Sequence, residues 1–289
     1  MPVAVVTDST AYLPPELSGD LVTVPLMVVI GGEEGAEGER FGPAEVAAAL
    51  TARRVAVSTS RPAPEKFAGT YRGLLEAGAT GVVSVHLSAV LSGTCEAATL
   101  AAAEVDPARI VVVDARSTGM GLGFCARAAA GAAAAGADLT TVAEAARAAV
   151  PATTIYFYVD TLEYLRRGGR ISAASALLGT ALSVKPILHV TDGAITAREK
   201  VRTASRALGR LVDLAVEAAG ESDVEVAVHH LVASERARDV SRALARRLGD
   251  RLAHLWTSEV GAVVAAHVGP GLVGVVIHRL APPHTTSGA

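Results

Sequence analysis

The chain has 289 residues, 51% of them hydrophobic, and a formal net charge of −3. That length can bury a substantial core in one large domain or two smaller ones. Only 3% of the residues are aromatic, so a broad basic face with stacking platforms is missing and nucleic-acid binding is not expected.

The N-terminus runs from Met1 straight into "VAVVTDST" (3–10), with no basic leader and an acid already at Asp8, so no secretory signal is expected. Cys95 and Cys125 are the only thiols, too few for a disulfide framework, and they fit a reducing cytoplasm. The most apolar stretch, Val260 to Ile277, is interrupted by His267, Pro270 and glycines, which argues against stable membrane insertion.

"VAVVTDST" reads as a buried strand and a polar turn. "VVSVHL" (82–87) and "IVVVDA" (110–115) repeat that pattern, with Ala-rich helical stretches such as "CEAATLAAAE" and "GFCARAAAGAAAAGA" between and after them. Strands alternating with helices predict a three-layer α/β/α domain on a parallel sheet. Ligands of such sheets sit beyond the carboxyl ends of the strands, where "TDST", "HLSAVLSGT" and "DARSTGMG" fall.

The grammar changes after Pro151. "TTIYFYVD" (153–160) is strand-like, and "KPILHVTDGAITAREKVRT" (185–203) reads as a hairpin turning at Asp192-Gly193 in type I′ geometry. "DVEVAVHHLVAS" and "GLVGVVIHRL" supply further strands. The expected architecture is α/β in two domains. Residues 1–152 form the α/β/α unit, residues 153–281 a unit with a mixed, largely antiparallel sheet, and 282–289 a disordered tail.

Several polar segments invite a functional reading. In "LSGT" (91–94), Ser92 and the amides of Gly93 and Thr94 would meet an anion at a helix start; equally, Ser92 could serve only as an N-cap. "STSRP" (58–62) offers three hydroxyls, and "AHVGPG" (266–271) places one histidine in an apolar run, where a core histidine with a single hydrogen bond is the ordinary explanation. "STGMGLG" (117–123) imitates a dinucleotide fingerprint, but its glycines run G-x-G-x-G. No lysine follows a glycine, so a phosphate-binding Gly-Lys loop is absent. His229 and His230 are strand neighbours that point to opposite faces, and no histidine or cysteine spacing suits a metal. No cofactor is expected.

"DTLEYLRRGGR" (160–170) concentrates arginines. Asp160 and Glu163 have capping-box spacing, Gly168 and Gly169 can end the helix, and Arg166 and Arg167 suit its last turn. Arg170 lies beyond the glycines. With Arg198, Lys200 and Arg202 of "REKVRT" it could form a docking patch.

In order along the chain, "VTDSTAYLP", "STSRPAPEKF", "LSAVLSGT", "DARSTGMGLG", "FYVDTLEYLRRGGRIS", "KPILHVTDGAI", "KVRT" and "AHVGPGLVGV" resemble the DegV family of bacterial fatty-acid-binding proteins. The resemblance implies two α/β domains with a long-chain fatty acid in a tunnel between them. It implies a carboxylate held by Thr59, Ser92 and His267, with Asp8, Ser9, Ser60 and Gly93 as neighbours. It further implies a non-catalytic, lipid-presenting subunit whose partner, an ATP-binding fatty acid kinase subunit, phosphorylates the carboxylate. Arg170 and Arg202 match positions implicated in meeting that partner. Arg61 stands where the family often has Gln, and Cys95 where it often has Tyr. A competing expectation from the residue types is a serine hydrolase using Ser92, His267 and Asp8.

Overall fold

The computed structural model describes residues 2–52, 55–171 and 185–280. The expected tail, 282–289, and the end of the arginine block, Ser172, lie outside them. The first sheet is parallel throughout, in the order β2 (Val22–Val24), β1 (Ala4–Asp8), β6 (Val82–His86), β7 (Ile110–Asp114). Alternation along these strands sends Val6, Val82 and Ile110 to one face, where Phe67 and Tyr71 of the helix Pro64–Glu76 and Ala98 of the helix Thr94–Val105 cover them. Val5, Val83 and Val113 face the other way, toward the helices Met120–Ala134 and Leu139–Ala152. These are the three layers read from the sequence.

The second large sheet has the order β10 (Ala194–Val201), β9 (Lys185–Thr191), β8 (Thr153–Tyr158), β13 (Val273–Arg279), β11 (Val224–His230), β12 (Leu252–Glu259). Every neighbouring pair is antiparallel except β11 and β12, so the sheet is mixed as expected. Asp192 and Gly193 both have positive φ, 52° and 79°, the signature of the type I′ turn joining β9 to β10. Both faces of this sheet are covered, which is why β13 reads as a nearly unbroken apolar run. Val273, Val275 and Ile277 pack on the helices Ala204–Ala219 and Ser234–Leu248. Gly274, Val276 and His278 face the helix Met120–Ala134, where His278 stacks on Phe124 with ring centroids 4.8 Å apart. That helix is therefore shared by the two large sheets, and one apolar cluster runs from Val5 through Phe124 to Val276.

A third sheet was not legible in the sequence: β4 (Glu33–Ala36), β3 (Met27–Ile30) and β5 (Val57–Ser60), all antiparallel. Against it packs the short helix Ala262–Val268.

Gly269, just past that helix, has φ of 71°, and a Cβ there would lie 2.1 Å from the Tyr164 ring. Gly209 sits inside the helix Ala204–Ala219 with open space around it. Gly269→Ala should therefore cost at least ~2 kcal/mol, and Gly209→Ala should stabilise by ~0.5–1 kcal/mol, in urea unfolding.

Candidate functional site

The loops that follow β5 and β6, the loop before Met120, and the helix Ala262–Val268 converge on one cavity of about 400 Å³. Most of its wall is apolar, with Leu26, Leu87, Phe157, Val263, Leu272 and Val276 among the lining side chains. The polar part of the wall contains Thr59, Ser60, Ser92, Gly93, Arg170 and His267. Thr59 is the third residue of β5, and its Oγ1 lies 2.9 Å from Nε2 of His267, in the last turn of the helix. Ser92 precedes the N-cap Gly93 of the helix Thr94–Val105; its Oγ accepts from the Thr94 amide at 3.3 Å and sits 2.9 Å from Thr94 Oγ1. Ser92 is thus not the N-cap that the sequence allowed; it lines the cavity one residue before the cap.

The arginine segment closes the same wall, by a different local geometry from that read in the sequence. The helix Glu163–Arg167 is a single turn whose N-cap is Leu162, and the Asp160/Glu163 capping box does not form. Asp160 instead accepts from Tyr158 Oη at 2.5 Å and pairs with Arg236 at 3.2 Å, while Glu163 pairs with Arg167. The C-terminus is a Schellman turn: the Gly169 amide bonds the Arg166 carbonyl, and the Arg170 amide bonds the Leu165 carbonyl, each at 3.0 Å. Only Gly169 needs positive φ, 73°. The turn points Arg170 inward, where its Nε donates to the Leu91 carbonyl at 3.1 Å and another guanidinium nitrogen donates to the Gly168 carbonyl. Arg170 therefore belongs to the cavity wall, whereas Arg202 is exposed beyond the end of β10.

Residues 2–280 match the family described as uncharacterised proteins of the DegV family. The chain belongs to the DegV family. A DegV domain-containing protein of Streptomyces coelicolor is 54% identical over 281 residues, spanning 95% of this chain and 98% of that one. A DegV family protein of Thermus thermophilus, described for its fatty acid binding, superposes with a TM-score of 0.88 at 33% identity, covering 97% of this chain and 100% of the other. DegV of Bacillus subtilis, described as a fatty acid binding protein, gives 0.87 at 31% identity, with 97% and 100% covered.

In this DegV chain Asp8 and Ser9 do not line the cavity, although the resemblance implied them as neighbours of the Thr59, Ser92 and His267 cluster. Asp8 is fully buried and committed: it accepts from the Leu87 amide at 2.9 Å, from Thr10, and from His86 Nδ1 at 3.0 Å. Ser9 donates to Glu37. The hydrolase triad of Ser92, His267 and Asp8 is consequently not assembled, since His267 meets Thr59 and Asp8 meets His86. A triad of the right residue types does exist elsewhere: Ser84 Oγ is 2.7 Å from His86 Nε2, whose other nitrogen faces Asp8. All three side chains are sealed in the core, and Tyr71 donates to Ser84 at 2.8 Å, so this relay fastens β1 to β6. Among the described residues no cluster suits a metal ion, and no helix is long and apolar enough to cross a membrane.

Sequence reasoning missed His229. It faces the cavity while His230 faces the opposite side of the sheet, as the alternation required. Its Nε2 accepts from the Met120 amide at 3.0 Å, which places the ring proton on Nδ1, 3.1 Å from Ser258 Oγ. Burial pulls the His229 pKa down to about 4. His267 is also lowered to about 4, first by burial and then by the Arg170 charge. Both rings are neutral near pH 7.

A histidine ordinarily titrates near 6.5, so the unfolded chain binds more protons than the folded one between there and pH 4. Stability is thus full above pH 6.5 and falls as pH drops through that window. For His229 alone the difference is of order 3 kcal/mol. Thermal melts should drop in Tm from pH 7 to pH 4.5, and His229→Gln should flatten that limb.

Proposed function

We propose that this DegV protein binds a long-chain fatty acid in the cavity and presents its carboxylate, at Thr59, Ser92 and His267, to a separate ATP-dependent kinase subunit. The observation that carries the reading is the division of one cavity wall into a mostly apolar part and a polar part that holds the hydroxyls of Thr59 and Ser92, the His267 imidazole and the Arg170 guanidinium. Its volume, about 400 Å³, lies within the ordinary range for small-molecule sites. The fatty acid binding described for the Thermus and Bacillus proteins supports the ligand class.

The energetics agree. About fourteen methylenes at ~0.8 kcal/mol each give ~11 kcal/mol of transfer free energy, less several for lost translational and chain freedom. A carboxylate buried alone would be costly. Here a neutral His267 can donate from Nε2 to Thr59 Oγ1, which frees the Thr59 hydroxyl proton for the ligand. Ser92 adds a second hydroxyl, and the Arg170 guanidinium adds charge without transferring a proton. The carboxylate stays ionised and nucleophilic, so one of its oxygens can attack the γ-phosphorus of ATP on the partner, with ADP leaving and an acyl phosphate forming. Exposed Arg202 suits a surface contact with that partner.

Native mass spectrometry of the purified protein should show a mass increment equal to a long-chain fatty acid, released on denaturation. Protein that neither carries nor takes up such a lipid would end the reading. Thr59→Ala with Ser92→Ala should weaken binding by ~10–100-fold, at ~1.5–3 kcal/mol per charge-assisted hydrogen bond with some compensation. Separately, Arg202→Glu should leave lipid binding intact and slow acyl phosphate formation in a hydroxamate assay with the kinase subunit. Unchanged turnover in that variant would reject the docking role.

A further inference from the structure

We infer that Glu37, outside the cavity, is the positioning residue that sets His267 against Thr59. The helix Ala262–Val268 begins at Gly261, which has no side chain to cap it. Its exposed amides are satisfied from the other end of the chain: Val263 donates to Glu37 Oε1 at 2.8 Å, and Val264 donates to Tyr12 Oη at 3.2 Å. Tyr12 in turn donates to Glu37 Oε1 at 3.1 Å. The other carboxylate oxygen accepts from Ser9 Oγ, and Ser9 Oγ accepts from the Leu26 amide at 3.0 Å. A Cβ on residue 261 would lie 2.3 Å from Glu37 Oε1, so glycine there lets the carboxylate close on the helix start.

The far end of the same helix carries His267, held by Thr59. Glu37 follows β4 directly, and Thr59 lies in β5; both strands pair with β3, where Val28 faces Gly35 on one side and Thr59 on the other. The three-stranded sheet is thus a frame with two fixed arms. One arm grips the helix start through Glu37, and the other meets its end through Thr59. The frame sets the axial position of the helix, and with it the imidazole and the cavity-lining Val263, Val264 and Val268. An acid at a helix N-terminus is favoured by the exposed amides and the helix dipole. Burial raises the Glu37 pKa, while the hydrogen bonds from Ser9, the Val263 amide and Tyr12 pull it the other way.

The inference rests on fatty acid binding in the cavity, and the test separates the two. Palmitate affinity is measured for Glu37→Ala and Glu37→Gln well below their melting temperatures, together with the His267 imidazole resonances by NMR. Glu37→Ala should bind palmitate about tenfold more weakly with the His267 signal displaced. Glu37→Gln, which keeps an acceptor for the Val263 amide, should stay within about threefold of wild type with the signal in place. Leu211→Ala, in the core on the far side of the second sheet, is a destabilised control away from the cavity and should bind normally. Wild-type binding and an unmoved His267 signal in Glu37→Ala would overturn the proposal, as would equal weakening by Leu211→Ala. Wild-type protein that ignores palmitate while Glu37→Ala still displaces the His267 signal would overturn the ligand reading and leave the positioning role standing.

Discussion

The site depends on one hydrogen bond between residues 208 positions apart, the one that joins the Thr59 hydroxyl and the His267 imidazole. It closes the polar part of the cavity wall and fastens the end of a short helix to a small sheet. Both of its partners are uncharged. Burial and the neighbouring Arg170 keep the imidazole uncharged, so the bond can run in either direction. A permanently charged imidazole beside Arg170 would add repulsion to an already desolvated wall.

The same constraint explains why segments so distant in sequence meet. The helix carrying His267 has no cap of its own, and the arginine turn ends on glycines that admit close neighbours. Gly269 accepts the Tyr164 ring against its backbone, and Gly168 stands where a Cβ would strike His267 Nδ1 at 2.3 Å. Arg170 then bridges the Leu91 and Gly168 carbonyls, joining the serine loop to the arginine turn. The wall is built from backbone approach as much as from side-chain chemistry.

Residue types alone mislead about chemistry. Asp8, His86 and Ser84 have the hydrogen-bond order of a hydrolytic triad, yet none of the three reaches solvent. Thr59, Ser92 and His267 lack a partnering acid and line a cavity. Access and the surrounding dielectric separate a sealed structural relay from a cavity wall.

What the sequence determined by itself was local and periodic. Alternating apolar runs with helical spacers specified the parallel sheet, the Asp192-Gly193 turn specified the β9–β10 hairpin, and strand alternation put His229 and His230 on opposite faces, because each depends only on near neighbours. The ordered motifs also carried the family. Tertiary structure decided the rest. It turned Arg170 into the wall, engaged Asp8 with His86, formed a third sheet from weak four-residue strands, and brought Glu37 onto a helix start 226 residues later. Those outcomes follow from which buried donors and acceptors find one another once the sheets have packed, and that pairing has no period along the chain.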